Sequence, residues 1–130
     1  MYFAAGRTIL FREEHSKRVL VPKVDFISAP GWSPPGVERR GGPQALLTGK
    51  ALFAWQKERR RFRLESVHPG GTLEDIVEST GFEFVRDAEV KATPSPSAQE
   101  LAVLRGPVAR EIACNYPEFA RRLWNIGVPA

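Results

Sequence analysis

Few side chains in this sequence have the types and spacing that covalent chemistry needs. Its two histidines, His15 and His68, lie far apart in the chain, and neither has a cysteine beside it. Metal sites gather such ligands at short spacings, so no metal site is expected. His15 sits within Glu13-Glu14-His15-Ser16-Lys17-Arg18 and reads as a solvated side chain. His68 is followed by Pro69-Gly70 and reads as a turn residue holding a strand-to-helix connection, with ligand contact at a sheet edge as its other role. The one cysteine, Cys114, has no histidine in its stretch to take its proton, and is expected to be a buried structural thiol. Thr48 and Ser28 have no histidine and aspartate arranged to activate a hydroxyl. Glu13-Glu14 and Glu74-Asp75 are carboxylate pairs, but adjacent positions on a helix do not face each other. Glu74 and Asp75 instead suit a helix's first turn, where the dipole favours negative charge. No residue is assigned a catalytic or metal-binding role.

Charge is the stronger signal. The chain carries a net charge of +4, with a pI near 9.6. The excess gathers at Arg39-Arg40, at Lys57 through Arg63, and at Arg121-Arg122. Trp55 and Phe62 interleave the middle run, Lys57-Glu58-Arg59-Arg60-Arg61-Phe62-Arg63, which is the pattern of a nucleic-acid-binding patch. The same run falls at an expected hairpin tip, where solvated charge is ordinary. A small basic nucleic-acid-binding module is therefore the competing function.

These residues need a scaffold. A chain of 130 residues, 42% hydrophobic and 26% charged, is expected to form one domain, residues 1–130, with a real core. No run of about 18 apolar residues exists to span a membrane as a helix. Met1-Tyr2-Phe3-Ala4-Ala5-Gly6-Arg7 lacks the features of a signal peptide, and a single cysteine forms no internal disulfide; both fit a cytoplasmic protein.

Arg7-Thr8-Ile9-Leu10-Phe11 reads as a first strand, and Val24-Asp25-Phe26-Ile27-Ser28 as a second. Val19-Leu20-Val21 is expected to be extended, because Pro22 disfavours helix in the residue before it. Residues 30–43 hold Pro30, Pro34, Pro35 and Pro43 with Gly31, Gly36, Gly41 and Gly42 between, and form a long loop of the kind usually kept for function. Two apolar runs, Gln44 to Thr48 and Ala51 to Trp55, flank Gly49-Lys50. Phe62 to Val67 alternates apolar and polar, so Phe53 to Trp55 and Phe62 to Val67 read as a hairpin.

Thr72 and Asp75 have capping-box spacing for a two-turn helix. Gly81 is expected to end it in a left-handed conformation, with Leu73, Ile76 and Val77 buried and Phe82 folded back on Val77. Phe82 to Val85 reads as a short strand. Residues 92–97 form a connector to the C-terminal helices. Ser97 and Glu100 cap a helix to Leu104, Gly106-Pro107 breaks it, and Val108 to Cys114 and Pro117 to Trp124 follow as helices, the last opened by its proline. The expected fold class is α/β: a partial, open, mostly parallel sheet with an antiparallel hairpin and short flanking helices.

Four segments in order resemble one family. His68-Pro69-Gly70, the capped helix and Ser79-Thr80-Gly81-Phe82 resemble the C-terminal half of the beta-type subunit of family I coenzyme A transferases, as in glutaconate CoA-transferase and relatives from steroid-ring degradation. Arg18 with Val24 to Gly31 resembles that family's strand-to-loop segment. Gly41-Gly42-Pro43 with Ala45 to Thr48 and Ala51 to Phe53 resembles its glycine-proline turn and central strand. Pro94 to Leu104 resembles its tail helix. The likeness covers roughly residues 7 to 105.

The resemblance implies a part in acyl-CoA transfer or acyl-CoA hydrolysis. In that family a glutamate in the N-terminal half attacks the thioester, near glycine amides that stabilise the oxyanion. This sequence has no glutamate-x-glycine segment, so no catalytic residue is carried over. The chain is expected to be the structural C-terminal portion, inactive alone. Its partner would be an alpha-type subunit or the missing N-terminal half, with a homo-oligomer as a further possibility. No cofactor is expected to be bound covalently; a coenzyme A thioester is the family's substrate, and part of the basic charge could meet its phosphates. No membrane partner is implied.

Overall fold

The computed structural model describes residues 5 to 126. The chain divides into two compact units, Met1–Pro94 and Ser95–Ala130. The first holds a five-stranded open sheet whose spatial order follows the sequence: β1 (Arg7–Arg12), β2 (Gly42–Thr48), β3 (Ala51–Gln56), β4 (Arg61–Val67) and β5 (Lys91–Ala92). One helix, α1 (Leu73–Ser79), lies between β4 and β5.

Connection length decides strand direction. Gly49-Lys50 joins β2 to β3, and Lys57 to Arg60 joins β3 to β4, so both pairs are antiparallel. Parallel neighbours need long crossovers. Residues 13–41 supply one between β1 and β2, and the α1 segment supplies the other between β4 and β5. The fold class is α/β with the expected hairpin. Parallel and antiparallel pairings are equal in number, so the sheet is mixed rather than mostly parallel.

The core lies on one face of this sheet. Leu46, Ala51, Phe53, Leu64 and Val67 from the strands meet Leu20 and Ile76, and all are buried. Phe53 is its centre, completely buried, with Phe84, Phe82 and Phe62 around it at centroid distances of 5.4, 6.1 and 6.4 Å. Edge-to-face aromatic contacts of this kind add about 0.5–1.5 kcal/mol each beyond simple area burial.

Helix α1 departs from its expected punctuation in three ways. The Thr72 hydroxyl accepts the Asp75 amide at 3.1 Å, as a cap should. The Asp75 carboxylate does not reach back; it pairs instead with Lys50 Nζ at 2.8 Å. Thr80 ends the helix in extended conformation, and Gly81 is not left-handed. Glycine is needed there for another reason: an added Cβ would lie 2.2 Å from the Leu20 carbonyl oxygen, which accepts the Gly81 amide at 2.8 Å. Ile76 is buried and Leu73 packs on the core, but Val77 is exposed.

Three expected extended segments differ as well. Val24 to Ser28 forms no strand and stays exposed. Val19 and Leu20 turn back, both donating to the Ser16 carbonyl at 3.0 and 2.8 Å, because Leu20 must reach the core. Phe82 to Val85 pairs with β4 only through one parallel bridge, Arg63 to Val85.

In the second unit, α2 (Ala98–Val103) opens with a complete capping box between Ser97 and Glu100. Gly106-Pro107 does not break the helix. Leu104–Val108 forms a wider π-type turn that runs directly into α3 (Ala109–Asn115). Proline has no amide hydrogen to donate and its ring crowds the preceding turn; one wide turn accommodates both. Pro117 opens α4 (Pro117–Trp124), as expected, and Asn125 ends it in left-handed conformation. No helix among the described residues is long and apolar enough to cross a membrane.

Candidate functional site

Two polar constellations form in the first unit. The first is closed. His15 is buried, its Nδ1 2.8 Å from Thr48 Oγ1 and its Nε2 2.9 Å from Thr80 Oγ1. Thr80 gives its own proton to the Ile76 carbonyl at 2.7 Å, so it accepts from Nε2–H, while the Thr48 hydroxyl at Nδ1 also donates to the Ala51 carbonyl at 3.0 Å. Burial, and next the nearby charge of Lys50, hold the His15 imidazole below the usual histidine range. His68 continues the chain of bonds: Nε2 donates to the Thr48 carbonyl at 3.0 Å, and Nδ1 meets Thr93 Oγ1 at 2.7 Å, which meets Ser66 Oγ at 2.7 Å.

The burial of His15 corrects the solvated reading. Residues 13–20 are pinned at both ends: Gly49 donates to the Glu13 carbonyl at 2.9 Å, and Gly81 donates to Leu20. A Cβ on Gly49 would stand 2.4 Å from the Glu13 oxygen. Two glycines, each letting backbone pass against backbone, thus draw a charged segment inward and put its one imidazole beneath the sheet. Those glycines were the signal available in the sequence. His68 holds the connection it was expected to hold, since its amide also donates to the Lys50 carbonyl at 2.8 Å.

The second constellation is open. The Pro/Gly-rich loop and the β3–β4 turn face each other across a cleft of about 530 Å³. Its cationic lining is Arg7, Arg39, Arg40, Lys57 and Arg60; its aromatic lining is Trp32 and Trp55; among the described residues no carboxylate lines it. Arg60 ends the hairpin turn at φ 49°, a conformation non-glycine residues seldom adopt. Its guanidinium lies 4.2 Å from the centre of the Trp32 ring, a cation–π contact. Arg39 donates to Ser33 Oγ at 3.0 Å and to the Pro30 carbonyl, which fixes the loop's shape. Glycines form its floor: a Cβ on Gly42 would stand 3.2 Å from the Gly31 oxygen.

The other singled-out residues carry no constellation. Cys114 is exposed, not buried, because its position on α3 faces away from the buried Ala109 and Ala113. Ser28 and Glu74 are exposed. Glu14 is held below the usual carboxylate range by hydrogen bonds from Ser16 and Arg18. Thr48 serves the histidine network. Among the described residues no group of histidine, cysteine and acidic side chains could hold a metal ion.

No protein-family model matches the chain. It is 33% identical to the B-type subunit of glutaconate CoA-transferase from Acidaminococcus fermentans over 96 residues, which is 68% of this chain and 36% of that one. It is 30% identical to the B-type subunit of 3-oxoadipate CoA-transferase from Pseudomonas knackmussii over 117 residues, 85% of this chain and 45% of that one. Its fold is similar to the solved structure of Rhodococcus jostii RHA1 IpdAB, with a TM-score of 0.69 at 26% identity, over 77% of this chain and 42% of that one. The chain spans less than half the length of the curated relatives it matches. These relatives bear out the resemblance read from the sequence.

Proposed function

Since the chain is homologous over most of its length to the B-type subunits of CoA-transferases, we propose that it is the C-terminal, sheet-forming portion of such a subunit. It packs against a polypeptide that carries the acyl-CoA chemistry: an alpha-type subunit, the N-terminal half of its own type, or both. A coenzyme A thioester is the substrate of that assembly, and this chain alone does not turn it over. The cytoplasm is its place, in keeping with its one free thiol, Cys114.

The observation that carries this reading is the outer edge of β1. That strand ends the sheet, yet Ile9 and Phe11 on one face are 65% and 69% exposed, and Leu10 on the other is 37% exposed. Exposed edge strands are normally blunted by charge, proline or a bulge, whereas strands apolar on both faces are those covered on both sides. Phe26 and Ile27, at 82% and 63% exposed, add to the uncovered apolar surface of the same unit. The part of the relatives that this chain does not span could cover it.

Co-expression with an alpha-type subunit and a B-type N-terminal half tests this. The expected result is co-purification as one complex, lost when Ile9 and Phe11 are both changed to aspartate. A chain that stays monomeric in the presence of both partners would refute the proposal.

A further inference from the structure

Resting on the subunit reading, we propose that the cationic cleft is a protein-docking surface, which receives an acidic segment of the polypeptide that covers β1. Carboxylates of that segment pair with Arg40, Lys57 and Arg60, and its chain lies against Trp32.

Position points to a polypeptide. Arg7 opens β1 and also lines the cleft, so the cleft adjoins the start of the uncovered apolar edge. A partner that covers this edge reaches the cleft without a gap. The lining has the composition of a protein contact as well, since tryptophan and arginine supply much of the binding energy where proteins meet. Trp32 is 46% exposed, so its ring is open to a partner side chain. Arg60 is already held by its strained turn and by its contact with that ring, which leaves little ordering to be done on binding.

Charge fixes the partner's chemistry. Arg61 and Arg63, on the same hairpin but outside the cleft, are neutralised by Glu83 at 3.2 Å and by Asp87 at 2.9 Å. Arg7, Arg40 and Lys57, which line it, have no carboxylate partner among the described residues. Glu38 and Glu58 are sequence neighbours of lining residues, yet neither lines the cleft. While the cleft is open, water solvates its cations. A partner strips that water away, and a buried charge without a counter-charge is costly. The segment that enters must therefore be acidic. A volume of about 530 Å³ exceeds what one carboxylate fills, so more than one of its residues enters.

The test is carbodiimide cross-linking of the complex formed with an alpha-type subunit and a B-type N-terminal half, read by mass spectrometry. This reaction joins an amine directly to a carboxylate in ion-pair contact. Lys57 should be linked to an aspartate or glutamate of a partner. Lys50 serves as the control and should be linked to Asp75 of its own chain. Lys57→Arg should abolish the Lys57 cross-link and keep the complex, because the positive charge remains. Changing Arg40 and Lys57 together to glutamate should weaken assembly at least about tenfold, most steeply at low salt. Arg61→Glu, outside the cleft, should change it less than about twofold. Circular dichroism confirms that each variant is folded. The proposal is overturned if Lys57 is linked to no partner carboxylate, if the Arg40 and Lys57 double variant assembles as tightly as the native chain, or if Arg61→Glu weakens assembly as much. Each of these results, in a complex that still forms, leaves the subunit reading standing. A native chain that assembles with neither partner overturns both.

Discussion

The histidine network and the cationic cleft belong to one small sheet unit and obey opposite rules. Beneath the sheet, each ring nitrogen of His15 and His68 has a partner, and neither histidine lines the cleft. At the loop and hairpin turn, cations converge around open space with no carboxylate among the described lining residues. By residue type the histidines look like chemistry and the arginines look like solvation. Satisfaction of polar groups reverses this: a fully bonded buried group stabilises a fold, whereas an unbalanced exposed cluster has capacity left for a ligand.

If the closed region is structural, its perturbation must cost stability while the cleft tolerates change. The largest loss is expected from Gly81→Ala, because the new Cβ meets the Leu20 backbone at 2.2 Å and neither chain can yield cheaply. Roughly 3 kcal/mol is expected, read by urea denaturation. His15→Ala should follow at about 2–3 kcal/mol, from two lost hydrogen bonds and a cavity beside Phe53. Changing Arg40 and Lys57 together to glutamine should stay within about 0.5 kcal/mol. Equal losses in the two regions would erase the distinction between them.

Acidity sharpens the same contrast. The His15 imidazole is held below its ordinary value of 6.5, first by burial and then by Lys50. As pH falls through that value, the unfolded chain takes up a proton that the folded chain refuses, so stability present above it is lost below it. His15→Gln should flatten this slope in melting temperatures recorded downward from neutral pH. An unchanged slope would mean that burial does not lower the His15 imidazole. Within the closed region the smallest loss expected is about 1 kcal/mol from Thr72→Ala, which removes only the α1 cap.

Local features are legible in the sequence. The period of Phe62 to Val67, the turn at Gly49-Lys50, the cap at Thr72 and the box at Ser97 and Glu100 are each set by residues within a few positions, and each forms. Features that depend on distant chain are not legible. His15 is buried because Gly49 and Gly81 grip the flanks of its segment, which its charged neighbours conceal. Val24 to Ser28 has strand composition, but no strand edge among the described residues pairs with it. Gly106-Pro107 has the composition of a helix stop, and a wide turn carries the helix through it. The cleft needs the loop near Trp32 brought beside the turn at Arg60, which neither segment announces.

The most direct test of the chain's role is an acyl-CoA assay run twice, with CoA exchange between succinyl-CoA and a dicarboxylate and release of free CoA both followed. The first run uses the isolated chain; the second uses the chain co-expressed with an alpha-type subunit and a B-type N-terminal half. The expected result is no turnover alone and turnover in the assembled complex, abolished when Ile9 and Phe11 are changed to aspartate. Clear turnover by the isolated chain would contradict its reading as a structural portion of a larger subunit.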